Sequence, residues 1–504
     1  MAIGLAGCSF EPAAQRPAVT QALPEAFAQA DAAGPYRPSG WWRSFQDPTL
    51  TALIDQAVQR NFQLEEAIAR VEQAAAQRRV AGAGLIPDVT LDAQGQYQNQ
   101  PADAFAGGFG SGGGGGMSGD GSGGVPPDAT AGQDRISFDT YSSSLQLSYE
   151  LDFWGRVRNS INAAEARLDA SVGDLQTALL SVITNTIRAY LDIAALEQRL
   201  DLSRRIVGLL EDRAQLTERR YQRGLVDSFE LYSIRGQLRR LQASLPQLEN
   251  QIYAAQARLA VLIGSYPEDV VDRLGRAGPL RLRIPAEPIP PGLPPALLIQ
   301  RPDVRAAWLR LEAQRRDVGV QRAALFPQVT LSGGGGLQGG SPQGLVDPNS
   351  WFANFIGNLT APLFTGGRIR GQIAAAEAGL AAQGAAYART VLTAFEEVET
   401  ALKDHETALR RYRLLKQESR TAEASADLQL RRYREGTGSY LGFLDARRNF
   451  LEARREVVQA ERGLAEARLS VHRALGGAWV EEDLTARGQA LIKAALGETE
   501  AGDG

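Results

Sequence analysis

The chain has 504 residues, 44% hydrophobic and 22% charged, with a net charge of -4 and a pI near 5.6, so it holds enough apolar material for a sizeable core. No basic stripe interleaved with aromatics runs along it, which argues against nucleic acid as a partner. No run approaches the ~18 to 20 apolar residues of a transmembrane helix, so any membrane span has to be built from strands.

The first feature in chain order is Cys8, the single cysteine, in Leu5-Ala6-Gly7-Cys8-Ser9. A cysteine after such a small-residue site resembles a lipobox, in which Cys8 is acylated and becomes the mature N-terminus. Ser9 in place of Asp is the pattern that sends such a protein to the outer membrane. Only seven residues precede Cys8, with no basic n-region, so residues 1–8 read as a truncated lipoprotein signal. Residues 9–47 follow as an N-terminal segment.

From residue 48 onward the chain is a duplication. Leu85-Ile86-Pro87-Asp88-Val89-Thr90-Leu91 returns as Leu325-Phe326-Pro327-Gln328-Val329-Thr330-Leu331, at an offset of 240. Gly155-Arg156-Val157-Arg158 returns as Gly367-Arg368-Ile369-Arg370, and Arg219-Arg220-Tyr221-Gln222-Arg223-Gly224 as Arg431-Arg432-Tyr433-Arg434-Glu435-Gly436, both at an offset of 212. The difference is absorbed by a longer Gly/Ser/Pro loop at 101–135 in the first copy. The first repeat, 48–264, predicts a helix over 48–84, strands near 86–98 and 138–151, a long helix 155–223 and a helix 230–263. Residues 265–300 read as a linker. The second repeat, 301–476, predicts a helix over 302–325, strands near 327–338 and 351–363, a long helix 367–435 and a helix 440–475, before a tail at 477–504.

The long helices show apolar residues at steps of three, four or seven: Ile161, Leu168, Val172, Leu175, Leu179, Ile183, Ile187 and Tyr190 in the first, Leu380, Tyr387, Val391, Phe395, Val398, Leu402 and Leu409 in the second. That is an amphipathic, coiled-coil-like seam, roughly 100 Å long at ~1.5 Å per residue. The strands alternate: Trp351, Ala353, Phe355, Gly357, Leu359, Ala361 and Leu363 against Phe352, Asn354, Ile356, Asn358 and Thr360. Period two with one apolar face fits a lipid-facing barrel strand. The runs Gly107 to Gly124 and Gly333 to Gly344 read as hairpin loops. No Gly-Lys-Ser/Thr follows the first, as a phosphate cradle requires. Four strands cannot close a barrel, whose minimum is about eight, so the chain has to oligomerise. His405 and His472 lie in helical segments without metal-ligand spacing, and read as surface or interhelix residues; no enzyme activity and no cofactor is expected.

Together, Leu151-Asp152-Phe153-Trp154-Gly155-Arg156, Arg301-Pro302-Asp303, Ala361-Pro362-Leu363-Phe364-Thr365-Gly366-Gly367-Arg368 and Arg432-Tyr433-Arg434-Glu435-Gly436, the last leading into Tyr440-Leu441-Gly442-Phe443-Leu444-Asp445-Ala446-Arg447-Arg448, resemble the TolC/OprM-like outer-membrane factors from Trp41 to Trp479. The lipobox and the Tyr-Leu-x-x-Leu-Asp-Ala pattern look most like its drug-efflux branch. The resemblance implies a membrane α+β fold: a homotrimer with a 12-stranded outer-membrane β-barrel, four strands per chain, continuous with a long periplasmic α-helical barrel, plus a small equatorial region. It implies a passive conduit for drugs or other small molecules, anchored in outer-membrane lipid and extending through the periplasm. Its partners would be a periplasmic adaptor (membrane fusion) protein and an inner-membrane pump of the RND type.

Glycine at 224 and 436 fits the left-handed position that ends a helix. The resemblance makes Gly224-Leu225-Val226 and Gly436-Thr437-Gly438 the turns on which the adaptor docks. By residue matching it makes Leu441 a constricting apolar ring, Asp445 a gate carboxylate and Arg448 its basic partner one helical turn on. Gly442 stands where some family members carry a second aspartate, with Glu230 a weaker substitute. A type I protein-secretion conduit is the alternative within the family. A soluble coiled-coil scaffold leaves the duplicated alternating strands unexplained.

Lipidation at Cys8 predicts that a palmitate analogue labels the wild-type precursor and not Cys8→Ser, while trimers still form because the strands carry their own apolar band. Equal labelling of both removes the lipobox reading.

Overall fold

A computed structural model describes residues 12–13, 45–101, 135–277 and 301–476. Cys8, the loop glycines 107–124 and the tail 477–504 lie outside the described residues. In order, the elements are α1 (Pro48–Arg60), α2 (Phe62–Ala83), β1 (Asp88–Pro101), β2 (Arg135–Leu151), α3 (Arg156–Gln222), α4 (Ser228–Leu262), α5 (Pro267–Ala277), α6 (Pro302–Ala323), β3 (Gln328–Gly339), two short 3-10 turns (Pro342–Val346 and Pro348–Ser350), β4 (Trp351–Thr360), α7 (Arg368–Arg434) and α8 (Tyr440–Ala474). The described parts of 79–161 and 316–376 form one compact unit, and those of 13–78, 162–315 and 377–476 the other.

The first unit holds one antiparallel sheet in the order β1-β2-β3-β4. Its register keeps like with like. Val89 faces Leu147 and Leu91 faces Leu145; Tyr149 faces Leu331 and Leu151 faces Val329; Val329 faces Leu359 and Leu337 faces Trp351. Side chains alternate across a strand, so these apolar residues share one face. The other face is largely polar, carrying Thr90, Gln94, Ser144, Gln146, Ser148, Thr330, Ser332, Asn354 and Asn358, with Phe352 and Ile356 among them. The apolar face is bare: Leu359 is 70% and Phe355 73% exposed. A band of that size left in water marks a surface meant for lipid or a partner.

Two readings of this region are corrected. Gly333–Gly336 belongs to β3 and not to a loop. A Cβ on Gly334 would lie 2.7 Å from Gln146 Oε1 and 2.8 Å from Asn354 Oδ1, so glycine there leaves room for the larger polar side chains of both neighbouring strands. The last strand stops at Thr360 rather than 363.

Where β2 becomes α3, the Leu-Asp-Phe-Trp-Gly-Arg motif forms a joint. Asp152 Oδ1 accepts from Val157 N at 3.1 Å and Oδ2 from Arg158 N at 2.9 Å, capping the helix start. Gly155 takes φ +74°. Trp154 Nε1 donates to the Pro327 carbonyl at 2.7 Å, and its ring stacks on Phe326 with centroids 4.9 Å apart. Ion pairs Arg156–Glu150 and Arg158–Asp152 close the turn.

The second unit is helical. α3 and α7 have 67 residues each, and α4 and α8 have 35 each, so the duplication holds element by element. Leu50, Leu53 and Ile54 of α1 pack with Ile187, Tyr190 and Ile193 of α3 and with Leu259 of α4. Val304 and Leu311 of α6 pack with Tyr387, Val391 and Val398 of α7 and with Val471 of α8. Each such side chain contributes about 1.5–3 kcal/mol when fully buried.

The helix expected over 48–84 is two helices, broken at Asn61, whose Oδ1 caps α2 through Gln63 N at 2.8 Å. Asn61 Nδ2 donates to the Leu262 carbonyl at 2.8 Å. The second repeat does the same job with Arg301, which donates to the Ala474 carbonyl at 2.6 Å and pairs with Asp303 and Glu397. In both cases a side chain satisfies a carbonyl left open at a helix C-terminus. Contrary to the expectation that no helix could cross a membrane, an 18-residue window in α3 is long and apolar enough by composition, yet 72% of it is buried inside the protein, as befits a core helix.

The register predicts unlike outcomes at adjacent positions. Leu359→Arg should disfavour insertion into lipid vesicles by roughly 2–4 kcal/mol at mid-bilayer depth, whereas Asn358→Arg, on the polar face, should insert like wild type. Equal insertion of the two variants would invert the face assignment.

Candidate functional site

The two helix turns are built alike. Gly224 and Gly436 adopt φ +68° and +73°, a conformation open to glycine without steric cost. Leu225 N and Thr437 N each reach back to the carbonyls of Arg220 and Arg432 at 2.9 Å, the bond that satisfies a helix C-terminus in a Schellman turn. The returning helices are then capped: Asp227 Oδ1 accepts from Glu230 N at 2.9 Å, and Ser439 Oγ from Gly442 N at 3.0 Å. Capping therefore occupies the backbone of Glu230 and Gly442.

Around the second turn the Tyr440 ring lies between those of Tyr433 and Phe443, tilted to both, with centroids 5.2 and 6.0 Å away. Burial, then the charge of Asp212 and the neighbouring Tyr433, raise the Tyr440 hydroxyl above the ordinary tyrosine range. The first turn is barer. Leu225, Phe229 and Tyr232 are all exposed.

Leu441 and Asp445 lie four residues apart on one face of α8. Leu444 beside them is buried. The expected pair Asp445–Arg448 is present but long, at 3.8 Å, and Arg448 lies equally near Glu452, at 3.7 Å. The near partner of Asp445 is Arg213 of α3, which donates to Asp445 Oδ1. Arg213 is 23% and Asp445 39% exposed. Glu230 does not join this group; among the described residues its carboxylate forms no ion pair.

Arg213 went unseen in the sequence because 232 positions separate it from Asp445. One signal could have found it. Its repeat counterpart is Ser425, that of Asp445 is Ser233 and that of Arg448 is Gly236, so all three are charges that the duplication does not share. Next to this point the contact between α3 and α8 is apolar, with Leu202, Ile206 and Leu210 against Leu451 and Val458. The seam is bounded by ion pairs on both sides, Arg213–Asp445 toward the turns and Arg462–Asp192 with Arg188–Glu466 away from them.

Both histidines lie on the long helices, His405 half-buried on α7 and His472 within α8. His472 is buried, and burial, with Arg468 and His405 nearby, lowers it to about 3. Among the described residues, no group of His, Cys, Asp and Glu is placed to hold a metal ion.

The family model for outer membrane efflux protein matches residues 53–265 and 293–477. Outer membrane protein OprJ of Pseudomonas aeruginosa is 30% identical over 95% of this chain and 95% of its own. The pyoverdine export outer membrane protein OpmQ of Pseudomonas putida is 31% identical over 88% and 89%. The solved structure of the outer-membrane channel OprN superposes with a TM-score of 0.79 at 30% identity, covering 94% of this chain and all of that one. Matched over most of its length by the family model and by such relatives, the chain belongs to the outer membrane efflux protein family.

Proposed function

We propose that three copies of this chain form the outer-membrane exit duct of a tripartite efflux pump, closed at rest through Leu441, Asp445, Arg213 and Arg448. The observation that carries this reading is the sheet: one apolar face, one largely polar face, and two edges that pair with no other strand among the described residues. Only lipid outside and water inside suit such faces, and only further copies satisfy the edges. The duct is passive and works without a cofactor or bond-making step. A periplasmic adaptor docks on the turns 224–226 and 436–438, and an inner-membrane pump of the RND type delivers the cargo.

The closure follows from magnitudes. A half-exposed ion pair stabilises by only about 0–1 kcal/mol, so a single Arg213–Asp445 contact cannot lock a channel. Three related by a threefold axis bias it by a few times that amount. The apolar seam above holds the wall of the duct while the ionic contacts below it give way.

Asp445→Ala and Leu441→Ala should therefore raise single-channel conductance in planar bilayers and sensitise cells to large antibiotics such as vancomycin. Arg448→Ala should do less than Asp445→Ala, because its contact is longer. Wild-type conductance in Asp445→Ala and Leu441→Ala trimers that assemble normally would move the gate elsewhere.

A further inference from the structure

The duplication sets strand register as well as sequence. Within the first repeat Asp88 lies opposite Ser148. Moved by the two repeat offsets, 240 for β1 and 212 for β2, that pair becomes 328 opposite 360, and Gln328 is found opposite Thr360. The pairing of β1 with β2 thus reproduces that of β3 with β4 without a slip.

The remaining contact, β2 with β3, runs from Tyr141 opposite Gly339 to Leu151 opposite Val329. Its image under the same offsets joins β4 to β1. Within one chain these are the two outer strands, three positions apart in the sheet. We infer that β4 of one copy pairs with β1 of the next in this image register, Ala353 opposite Asn99 through Leu363 opposite Val89. The inference rests on the trimeric duct reading and extends it to individual residue pairs.

Two checks support the register. It sets Phe355 opposite Tyr97 and Leu359 opposite Ala93, apolar face on apolar face, and Asn358 opposite Gln94, polar on polar. A slip of one residue would reverse every side chain. Continued upward by two residues, it brings Trp351, the first of β4, opposite Pro101, the last of β1, so the strands end flush.

The same operation accounts for the most exposed apolar side chains near the sheet. Inside the chain, the joint after β2 covers Phe326 with Trp154. In the second repeat Trp154 is replaced by Gly366, while Glu150 and Asp152, which clasp Arg156 and Arg158, are replaced by Pro362 and Phe364. The ionic joint has become an apolar one. Leu363 and Phe364 stand 95% and 93% exposed, and Ile86, the counterpart of Phe326, is 69% exposed. The image of the Trp154–Phe326 contact sets Gly366 of one copy, which has no side chain, opposite Ile86 of the next; Phe364, two residues before it, is the aromatic left to cover Ile86, while Leu363 takes its place opposite Val89 on the apolar face.

Asn358→Cys with Gln94→Cys, in the full chain in outer membranes under mild oxidation, should give cross-linked trimers on non-reducing gels. Within a chain the two positions are three strand spacings apart, roughly 14 Å, beyond disulfide reach. Asn358→Cys with Gln98→Cys should remain uncross-linked, as should each single variant, which retains Cys8. Cross-linking of the shifted pair instead overturns the register. Phe364→Ala and Ile86→Ala should each lower the temperature at which trimers dissociate, and the double variant no further than the stronger single one. Additive losses, or quenching of a Phe364→Trp variant by brominated phospholipid in vesicles, would give that side chain to lipid and overturn the joint. Complete absence of heat-modifiable trimers would sink the duct reading itself, whereas trimers cross-linked in another register sink only this inference.

Discussion

The rest of the structure depends on the backbone hydrogen bonds that one chain cannot make. β1 and β4 each present a row of amide and carbonyl groups that meets no other strand among the described residues. In water such an edge is an aggregation hazard, and in hydrocarbon each unsatisfied group costs several kcal/mol. The polar glutamines, serines and asparagines of one face cannot be turned into lipid, and the apolar face cannot be left in water. Closure with further copies meets all three demands. It also fits β4, an edge strand without a charged residue.

The helical unit uses the duplication differently. Its two turns share their grammar down to the left-handed glycine, the backward hydrogen bond and the capping side chain. The charges of the ion-pair group are not shared. Asp445 and Arg448 have Ser233 and Gly236 as counterparts, and Arg213 has Ser425. A symmetrical scaffold therefore carries an asymmetrical contact, and it lies where the apolar packing of Leu210 and Leu451 ends. Weak, partly solvated ion pairs next to a firm seam suit a part that moves against a wall that does not. In the proposed duct this contact is the resting closure.

Much of this was legible in the chain. The long helices follow from proline-free stretches with apolar steps of three and four, and the strand faces from the period-two pattern at Trp351 to Leu359. The glycines of the turns follow from their place after the last periodic residue. Other points escaped because they are decided by what lies across a fold. Asn61 looks like one more polar residue in a helix until its amide is seen on the carbonyl of Leu262. The glycines 333–336 look like a loop until Gln146 and Asn354 are seen to need their space. Repeat counterparts that differ, such as Asn61 and Arg301, can do one job with different chemistry, which no local pattern reveals.

By itself the sequence determined periodicity, punctuation and duplication. These are properties of neighbours along the chain, set by the geometry of helix and strand and by the steric freedom of glycine. Tertiary structure alone decided which distant groups meet: Arg213 with Asp445 across 232 positions, Arg301 with the end of α8, and Trp154 with Phe326. Such contacts are selected by the packing of whole elements, in which burial of an apolar face brings along whatever charge lies beyond its edge. A charge placed that way carries no trace in the residues beside it.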